Sequence, residues 1–170
     1  MNQEALRIYR ENGSIVLNGK QKYILGNIKN ELLLKKMTES MPEVKNQFFI
    51  LIYDIAQLYD YVVKIPEIAW DIVDFAEKPI SVIYPQGKNI PEVLLMENGK
   101  IMIQLVKSEM LKNLLKTGGK GAFAVALPDG FEISKILSGQ IISNDFLDFG
   151  KGKIMQMELN GEIRFFPKSS

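Results

Sequence analysis

The segment GGKGAFAVALPDG, residues 118–130, decides the fold class of this chain. Residues 122–127 form an apolar run of strand length between a glycine-rich turn and a Pro-Asp-Gly turn. Such a run predicts a strand that is buried on both faces of a sheet in an α/β protein. Strand tips in that class often present catalytic groups, whereas this strand carries only alanines, Phe123, Val125 and Leu127. The segment therefore predicts a strand in a position that often carries catalytic residues, but with no polar side chain on the strand.

Helix and strand patterns alternate around this segment. Apolar runs predict strands over residues 14–18, 22–28, 47–52, 79–85 and 100–106. Helical spacing predicts helices over residues 3–11, 31–41, 54–62, 66–77, 109–116 and 131–139, with Asn30, Asp54 and Ser108 as capping residues. Two further strands flank Asn160-Gly161, the residue pair that a type I′ hairpin turn requires. Together these patterns predict one α/β (α+β) domain over residues 1–170, with a mixed sheet, flanking helices and a C-terminal β-hairpin.

The amino-acid composition excludes several classes of catalytic site. The 170-residue chain contains no cysteine and no histidine, which excludes disulfides, thiol nucleophiles, histidine acid–base catalysis and the usual zinc sites. Its net charge of +1 gives no overall attraction to nucleic acid or membrane, so a basic site has to be a local patch. No apolar run approaches the roughly 20 residues that span a bilayer, and the first residues lack the apolar core of a signal peptide. We therefore expect a cytoplasmic protein without a membrane partner.

From about residue 62 to residue 110 the sequence resembles the YrdC-like family of threonylcarbamoyl-adenylate synthases, especially its forms in Bacteroidetes-type bacteria. The segments that carry the resemblance are IPEIAWDIVDFA, KPISVIYP, GKNIP and NGKIMIQLV. The resemblance implies a twisted, open, mixed α/β sheet with a large basic cavity. Enzymes of the family combine ATP, threonine and bicarbonate into threonylcarbamoyl-AMP for tRNA modification, and some members are described as double-stranded RNA binders.

The family's site motifs are altered in this sequence. The threonine-pocket motif LYPTDTIWGIG corresponds to LNGKQKYILG, in which Tyr23 replaces the aromatic residue. The ATP-binding motif KRPxxKS corresponds to MPEVKNQ and retains Lys45, while the arginine of GIRV corresponds to Gln104. The hydroxyls and asparagine of KPIVSTSAN are replaced along KGAFAVALP, and the SSI motif corresponds to residues 151–154 without hydroxyls. The resemblance implies a cavity lined by these candidate ligand-binding residues: Tyr23, Lys45, Ser81, Tyr84, Gln104 and Lys120.

Lysines also cluster around the helix predicted over residues 109–116 and in the glycine-lysine segment GKGK. These lysines predict a patch for RNA or phosphate, and the alternative is that they are ordinary solvated lysines on a helix surface. Neither GKGK nor TGGKG has the spacing of a P-loop. The residues of this candidate patch are Lys107, Lys112, Lys116, Lys120, Lys151 and Lys153. The sequence predicts no metal site.

Three functional hypotheses follow from the altered motifs. Each lost charge-assisted hydrogen bond is worth roughly 1.5–3 kcal/mol, so the first hypothesis is a YrdC-like binding module without catalytic residues, with tRNA, double-stranded RNA or a nucleotide-like molecule as its ligand. The second is an active threonylcarbamoyl-AMP synthase-like nucleotidyltransferase, which would use ATP and Mg²⁺ in a pocket rebuilt around Lys20, Lys22 or Lys45. The third is a structural interaction protein that forms homo-oligomers.

Overall fold

The computed structural model describes residues 3–18, 21–119, 121–133, 142–143 and 153–166. Five α-helices occur among these residues: α1 (Gln3–Asn12), α2 (Glu31–Ser40), α3 (Leu58–Tyr61), α4 (Ile68–Phe75) and α5 (Glu109–Thr117). Nine strands occur among them: β1 (Ser14–Asn18), β2 (Lys22–Asn27), β3 (Phe49–Ile52), β4 (Ile80–Tyr84), β5 (Ile101–Leu105), β6 (Ala122–Ala126), β7 (Ile142–Ser143), β8 (Lys153–Met157) and β9 (Ile163–Phe166). None of the described helices is long and apolar enough to cross a membrane.

The described strands form one mixed sheet in the order β7-β1-β2-β6-β3-β5-β4-β8-β9. The pairs β3–β5, β4–β8 and β1–β7 are parallel, and the other neighbouring pairs are antiparallel. The C-terminal hairpin of β8 and β9 turns at Asn160-Gly161, where Gly161 has a left-handed φ of 89° but Asn160 has a negative φ. The prediction of a type I′ turn is therefore wrong, because that turn needs a positive φ at both residues. The prediction of an open mixed α/β sheet with a C-terminal β-hairpin is thus confirmed.

A hydrophobic core covers each face of the sheet. One core packs α2, α3 and α4 against strand residues such as Ile50, Phe123 and Val125. The other packs α1 and α5 against the alternate residues of the same strands, such as Phe49 and Leu51. We call these two layers the α2–α4 side and the α1–α5 side of the sheet. Because β3 contributes to both layers, its continuous apolar run is explained by burial on both faces.

The alanines of β6 belong to the α1–α5 side of the sheet. Ala122, Ala124 and Ala126 are buried in the same core as Leu111 and Leu114 of α5. A strand that presents only methyl groups on one face lets a covering layer approach closely. Ala124 and Ala126, at positions where the sequence resemblance implies hydroxyls, therefore have a packing role in this fold.

Two predicted helices are shorter than their sequence patterns indicated. The helix predicted over residues 54–62 is divided into a 3₁₀ turn, Ile55–Gln57, and the single turn of α3. Asp54 caps this 3₁₀ turn as predicted, since its side chain accepts a hydrogen bond from the Ala56 amide and Gln57 reaches back to complete a capping box. The helix predicted over residues 66–77 contracts to α4. Residues 134–139 of the helix predicted over residues 131–139 lie outside the described residues.

Candidate functional site

Ser81 and Gln104 form a buried polar pair on the α1–α5 side of the sheet. They face each other across β4 and β5, and Gln104 Nε2 donates a hydrogen bond of 3.1 Å to Ser81 Oγ. Their side chains share a face with Ile83 and Met102, two residues away on the same strands. Ser81 is 0% exposed and Gln104 is 1% exposed. The pair is therefore neutral, hydrogen-bonded and closed off from solvent, and it offers no formal charge to a phosphate.

Tyr23 lies on the same side of the sheet but towards the other end of the strands. The register places Tyr23 opposite Ala126, whereas Gln104 and its neighbour Leu51 align with Ala122. Four residues along a strand correspond to about 13 Å, and β6 and β3 also lie between the strands of Tyr23 and Gln104. The structure therefore does not bring these two predicted lining residues together.

Tyr84 lies on the opposite side of the sheet from the Ser81–Gln104 pair. It is buried in the core beneath α2, α3 and α4. Burial raises the pKa of its hydroxyl above the ordinary value of 10.0, so this hydroxyl stays neutral. The predicted lining is consequently divided among separate places, and a common cavity for all of it does not follow from the fold.

Exposed cations gather at the end of the sheet where β2 and β3 begin and β6 ends. Lys22 is the first residue of β2, Lys45 lies in the turn before β3, and both are exposed. Because β6 lies between β2 and β3 and is antiparallel to both, these two strand starts share one edge with Ala126. We call this end of the sheet, which contains Lys22, Tyr23, Lys45, Asn46 and Ala126, the Lys22–Lys45 end. Two of the predicted ligand-binding residues belong to it, the buried Tyr23 and the exposed Lys45.

Asn46 adds a hydrogen-bond acceptor to this end of the sheet that the sequence motifs did not reveal. Its backbone has a left-handed φ of 69°, and its Oδ1 atom is buried without a hydrogen-bond partner. The turn is held by backbone hydrogen bonds from Lys45 to Pro42 (3.3 Å) and from Gln47 to Val44 (2.9 Å). An unpaired buried acceptor costs about 1–3 kcal/mol. Asparagine tolerates this backbone conformation better than most residues. An asparagine at position 46 is thus the sequence feature that is compatible with a left-handed turn there.

Lys107, the first lysine of the predicted patch, is bound to helix α4. Its Nζ donates hydrogen bonds to the main-chain carbonyls of Val73 (2.9 Å) and Asp74 (3.1 Å), near the C-terminal end of that helix. Burial lowers the pKa of the Lys107 amine from its ordinary value of 10.5, although the Asp74 carboxylate opposes this shift. The amine satisfies carbonyls that have no partner within the helix, so its first role is structural.

The other described lysines of the patch also have protein partners. Lys112 Nζ lies 3.5 Å from a carboxylate oxygen of Glu109. The amine of Lys116 lies 5.6 Å from the centroid of the Tyr53 ring. Lys153 lies on β8, near the far edge of the sheet from β2, and its amine is 4.3 Å from the centroid of an exposed aromatic ring. The predicted positions Lys120 and Lys151 lie outside the described residues.

The donor set of the described residues does not fit magnesium-ATP in a buried site. No group of three or more carboxylates in the described part of the chain is placed to hold a metal ion. The buried polar side chains there are all neutral: Ser14, Ser81, Gln104 and Gln156. Burying a polyanion costs several kcal/mol per charge unless cations oppose it. Positive charge in the described part of the chain lies instead on exposed side chains such as Lys22 and Lys45.

Comparisons with known proteins identify the fold through structure and not through sequence. No protein-family model matches the sequence, and no curated protein matches it. Escherichia coli YciO superposes with a TM-score of 0.67 at 16% sequence identity, over 91% of this chain and 82% of that one. Pyrococcus abyssi Sua5 complexed with L-threonine gives a TM-score of 0.69 at 17% identity, over 91% of this chain and 50% of that one.

A third similar structure is full-length HypF in its phosphate- and nucleotide-bound form. It gives a TM-score of 0.70 at 11% identity, over 94% of this chain and 27% of that one. The chain thus spans half the length of the Sua5 protein and a smaller share of HypF. At these identities the likeness is one of fold, and the fold agrees with the sequence resemblance. This chain has the YrdC-like fold that it shares with YciO and Sua5.

Proposed function

We propose that this chain is a YrdC-like binding module for a small nucleotide-like anion and that it does not make threonylcarbamoyl-AMP. The observation that carries the proposal is the state of Gln104, which stands where the resemblance implies an ATP-binding arginine. Its amide is neutral, buried and hydrogen-bonded to Ser81. A glutamine in that position supplies neither the charge nor the bidentate donor geometry that an arginine gives to phosphate.

The Lys22–Lys45 end supports a site for one phosphate or carboxylate group. Lys22 and Lys45 are exposed there and lie at the same end of the sheet. Charge-assisted hydrogen bonds to two lysines are worth roughly 1.5–3 kcal/mol each. Structural neighbours that carry L-threonine, or phosphate and nucleotide, support ligand binding as a use of this fold. A nucleoside monophosphate is the simplest nucleotide-like molecule that carries one such phosphate group.

The lysines around α5 give less support to RNA as the ligand. The amines of Lys107 and Lys112 interact with carbonyls and a carboxylate of the chain itself, and that of Lys116 lies over an aromatic ring. Binding to RNA through phosphates needs several cations that are free to release counterions. A nucleotide-sized ligand is therefore favoured over RNA, and tRNA serves as the comparison ligand in the binding experiment.

An activity measurement tests the negative half of the proposal. Purified protein is incubated with ATP, threonine, bicarbonate and Mg²⁺, and the products are separated by chromatography. We expect no threonylcarbamoyl-AMP above the level without protein, because the buried polar groups near Gln104 carry no charge to hold a triphosphate. Robust product formation would favour the rebuilt-pocket enzyme instead.

A calorimetric titration with AMP tests the positive half. We expect saturable binding that weakens about tenfold in Lys45→Ala, since one charge-assisted bond is lost. The matched control is Lys36→Ala, which removes an exposed lysine from α2 and should leave the affinity unchanged. Equal losses in both variants, no AMP binding at millimolar concentration, or tighter and salt-sensitive binding of tRNA would each contradict the proposed ligand.

A further inference from the structure

The segment over residues 54–77 concentrates negative charge in a short part of the chain. It contains six carboxylates and one lysine, while the rest of the chain holds 20 of the 21 basic residues and 14 of the 20 acidic ones. All seven charged side chains are exposed, and no described cation forms an ion pair with any of the six carboxylates. The carboxylates are those of Asp54, Asp60, Glu67, Asp71, Asp74 and Glu77. The segment therefore has a net charge of −5 within a chain of net charge +1.

The same segment also concentrates exposed apolar side chains. Four of the seven large hydrophobic residues that are exposed in the described chain lie within it: Tyr59 (65%), Val63 (50%), Ile68 (37%) and Phe75 (81%). Six of the eight residues of α4 are apolar, yet only Ala69 and Val73 are buried in the core. A surface helix that buries one stripe normally carries polar residues elsewhere. Helix α4 thus has more apolar surface than its own core covers.

Local contacts hold this surface in place. The rings of Tyr59 and Trp70 lie with centroids 5.1 Å apart, which joins α3 to α4. The amine of Lys107 ties the C-terminal end of α4 to the residues after β5. Asn89 Nδ2 donates a hydrogen bond of 2.7 Å to the carbonyl of Asp60. We call the exposed surface of residues 59–75 the α3–α4 face; it contains four of the six carboxylates and Lys64, a net charge of −3. It is ordered before any partner arrives, which lowers the entropic cost of binding.

We propose that the α3–α4 face docks a lysine- or arginine-rich amphipathic segment of a partner protein. Apolar anchors of the partner would cover Phe75, Ile68 and Tyr59, and its cations would meet the surrounding carboxylates. The charge disfavours the other occupants. Nucleic acid and anionic lipid are repelled by it, and a second copy that presented the same face would place carboxylates against carboxylates.

Trp70 provides the measurement, since it is the only tryptophan of the chain and lies within this face. The probe is a synthetic helical peptide of about 14 residues, made of leucine at core-facing helical positions and lysine elsewhere. We expect a saturable blue shift of the Trp70 emission on titration with this peptide. The same peptide with glutamate in place of lysine should give no shift.

Two variants separate the charge contribution from the apolar one. We expect Asp60→Lys/Asp71→Lys, and independently Phe75→Ser, to weaken binding of the lysine peptide by about tenfold or more. The matched control Glu92→Lys/Glu97→Lys makes the same change of charge at exposed carboxylates outside the segment and should bind like the wild type. Thermal melting of each variant shows that it is folded.

Three results would overturn the proposal. The first is an unchanged Trp70 emission with the lysine peptide. The second is equal weakening by the control variant, which would mean attraction to the general charge of the protein. The third is sedimentation of the wild type as an oligomer that Asp60→Lys/Asp71→Lys dissociates, because the face would then be occupied by a second copy of the chain.

Discussion

At the scale of single residues, the close approach of α1 to the end of α5 depends on Gly118. The backbone of Gly118 has a φ of −76°, which any residue can adopt. A glycine is therefore favoured at this position because it has no side chain. A Cβ atom placed there would lie 1.8 Å from Cε1 of Tyr9, so the ring or the helix end would have to shift. Gly118, which follows the last residue of α5, is thus also a contact point between two helices.

We expect Gly118→Ala to lower the free energy of unfolding by about 1–3 kcal/mol through overpacking. Chemical denaturation of the purified variant measures the change. The control is the same substitution in a Tyr9→Leu background, where the clashing ring is absent and the added cost should be smaller. An equal cost in both backgrounds would show that the Tyr9 ring is not what excludes a side chain at position 118.

Lys107 illustrates how a single amine can join two elements. Lys107→Met removes the hydrogen bonds to the carbonyls of Val73 and Asp74 at the end of α4. Because the amine is partly exposed, the expected loss of stability at neutral pH is only about 1 kcal/mol. Urea denaturation of wild type and variant gives this difference, and a variant as stable as the wild type would contradict the capping role.

The pH dependence of that difference has a defined sign. The folded-state pKa of Lys107 lies below its ordinary value of 10.5, so between those two values the unfolded chain binds more protons than the folded one. The stability of the wild type relative to Lys107→Met should therefore increase as the pH rises through the folded-state pKa towards 10.5. The raised tyrosine pKa values affect both proteins equally and cancel in the comparison. A difference that shrinks over this range would contradict the lowered pKa.

At the scale of elements, strand β6 shows how closely the two layers are fitted to the sheet. Its alternate residues divide between them, with Phe123 and Val125 on one side and the three alanines on the other. Ala124 lies in register with Leu25 on β2 and with Phe49 on β3, so two bulky neighbours border it across the strands.

Ala124→Leu should therefore lower the free energy of unfolding by at least about 1–3 kcal/mol, because the helices on the α1–α5 side have to move away from β6. The melting temperature measured by circular dichroism reports the effect. The matched control is Ala56→Leu, in the exposed 3₁₀ turn after β3, which should melt close to the wild type. Similar melting of the two variants would indicate a loosely packed α1–α5 side.

Local patterns predicted most of the elements, since the apolar runs of strands β1, β2 and β6 and the caps of helices α2 and α5 can be recognised within a few residues of sequence. Asn30 and Ser108 cap their helices as predicted, since their side-chain oxygens accept hydrogen bonds from the amides of Leu33 and Leu111. Helix α4 was predicted too long because its apolar pattern reflects exposed residues as well as core residues. When apolar residues face both the core and the solvent, the spacing of the apolar residues no longer indicates where the helix begins and ends.

The candidate site was much less predictable from the sequence. Whether Tyr23 and Gln104 are neighbours depends on the register of four strands, and the register brings together residues that are far apart along the chain. The hydrogen bond between Gln104 and Ser81 was equally unpredictable from local sequence, because the two residues lie 23 positions apart. Asn46 became visible only through its backbone conformation and its unpaired Oδ1.

At the scale of the whole molecule, one sheet separates two cores that share its strands. Strands β3 and β6 contribute alternate residues to both cores. A loss of packing in one layer therefore destabilises the strands on which the other layer also packs. We propose on this basis that the chain unfolds as one cooperative domain.

Leu114→Ala tests this cooperativity from the side opposite to Trp70. Leu114 is fully buried on the α1–α5 side, and its truncation should cost about 2–5 kcal/mol. The Trp70 fluorescence transition, which reports on the α2–α4 side, should shift to lower denaturant together with the far-ultraviolet circular dichroism. Separate transitions for the two probes would indicate two independently unfolding units.

The central position of β6 has a consequence for the order in which the protein assembles on the ribosome. The β1–β2 hairpin is translated early, yet the inner edge of β2 pairs with β6, which is nearly a hundred residues downstream. At about 5–20 residues per second, that edge waits several seconds for its partner. Nascent chains halted before β6 should consequently depend on chaperones, and release should come abruptly once that strand has emerged from the exit tunnel.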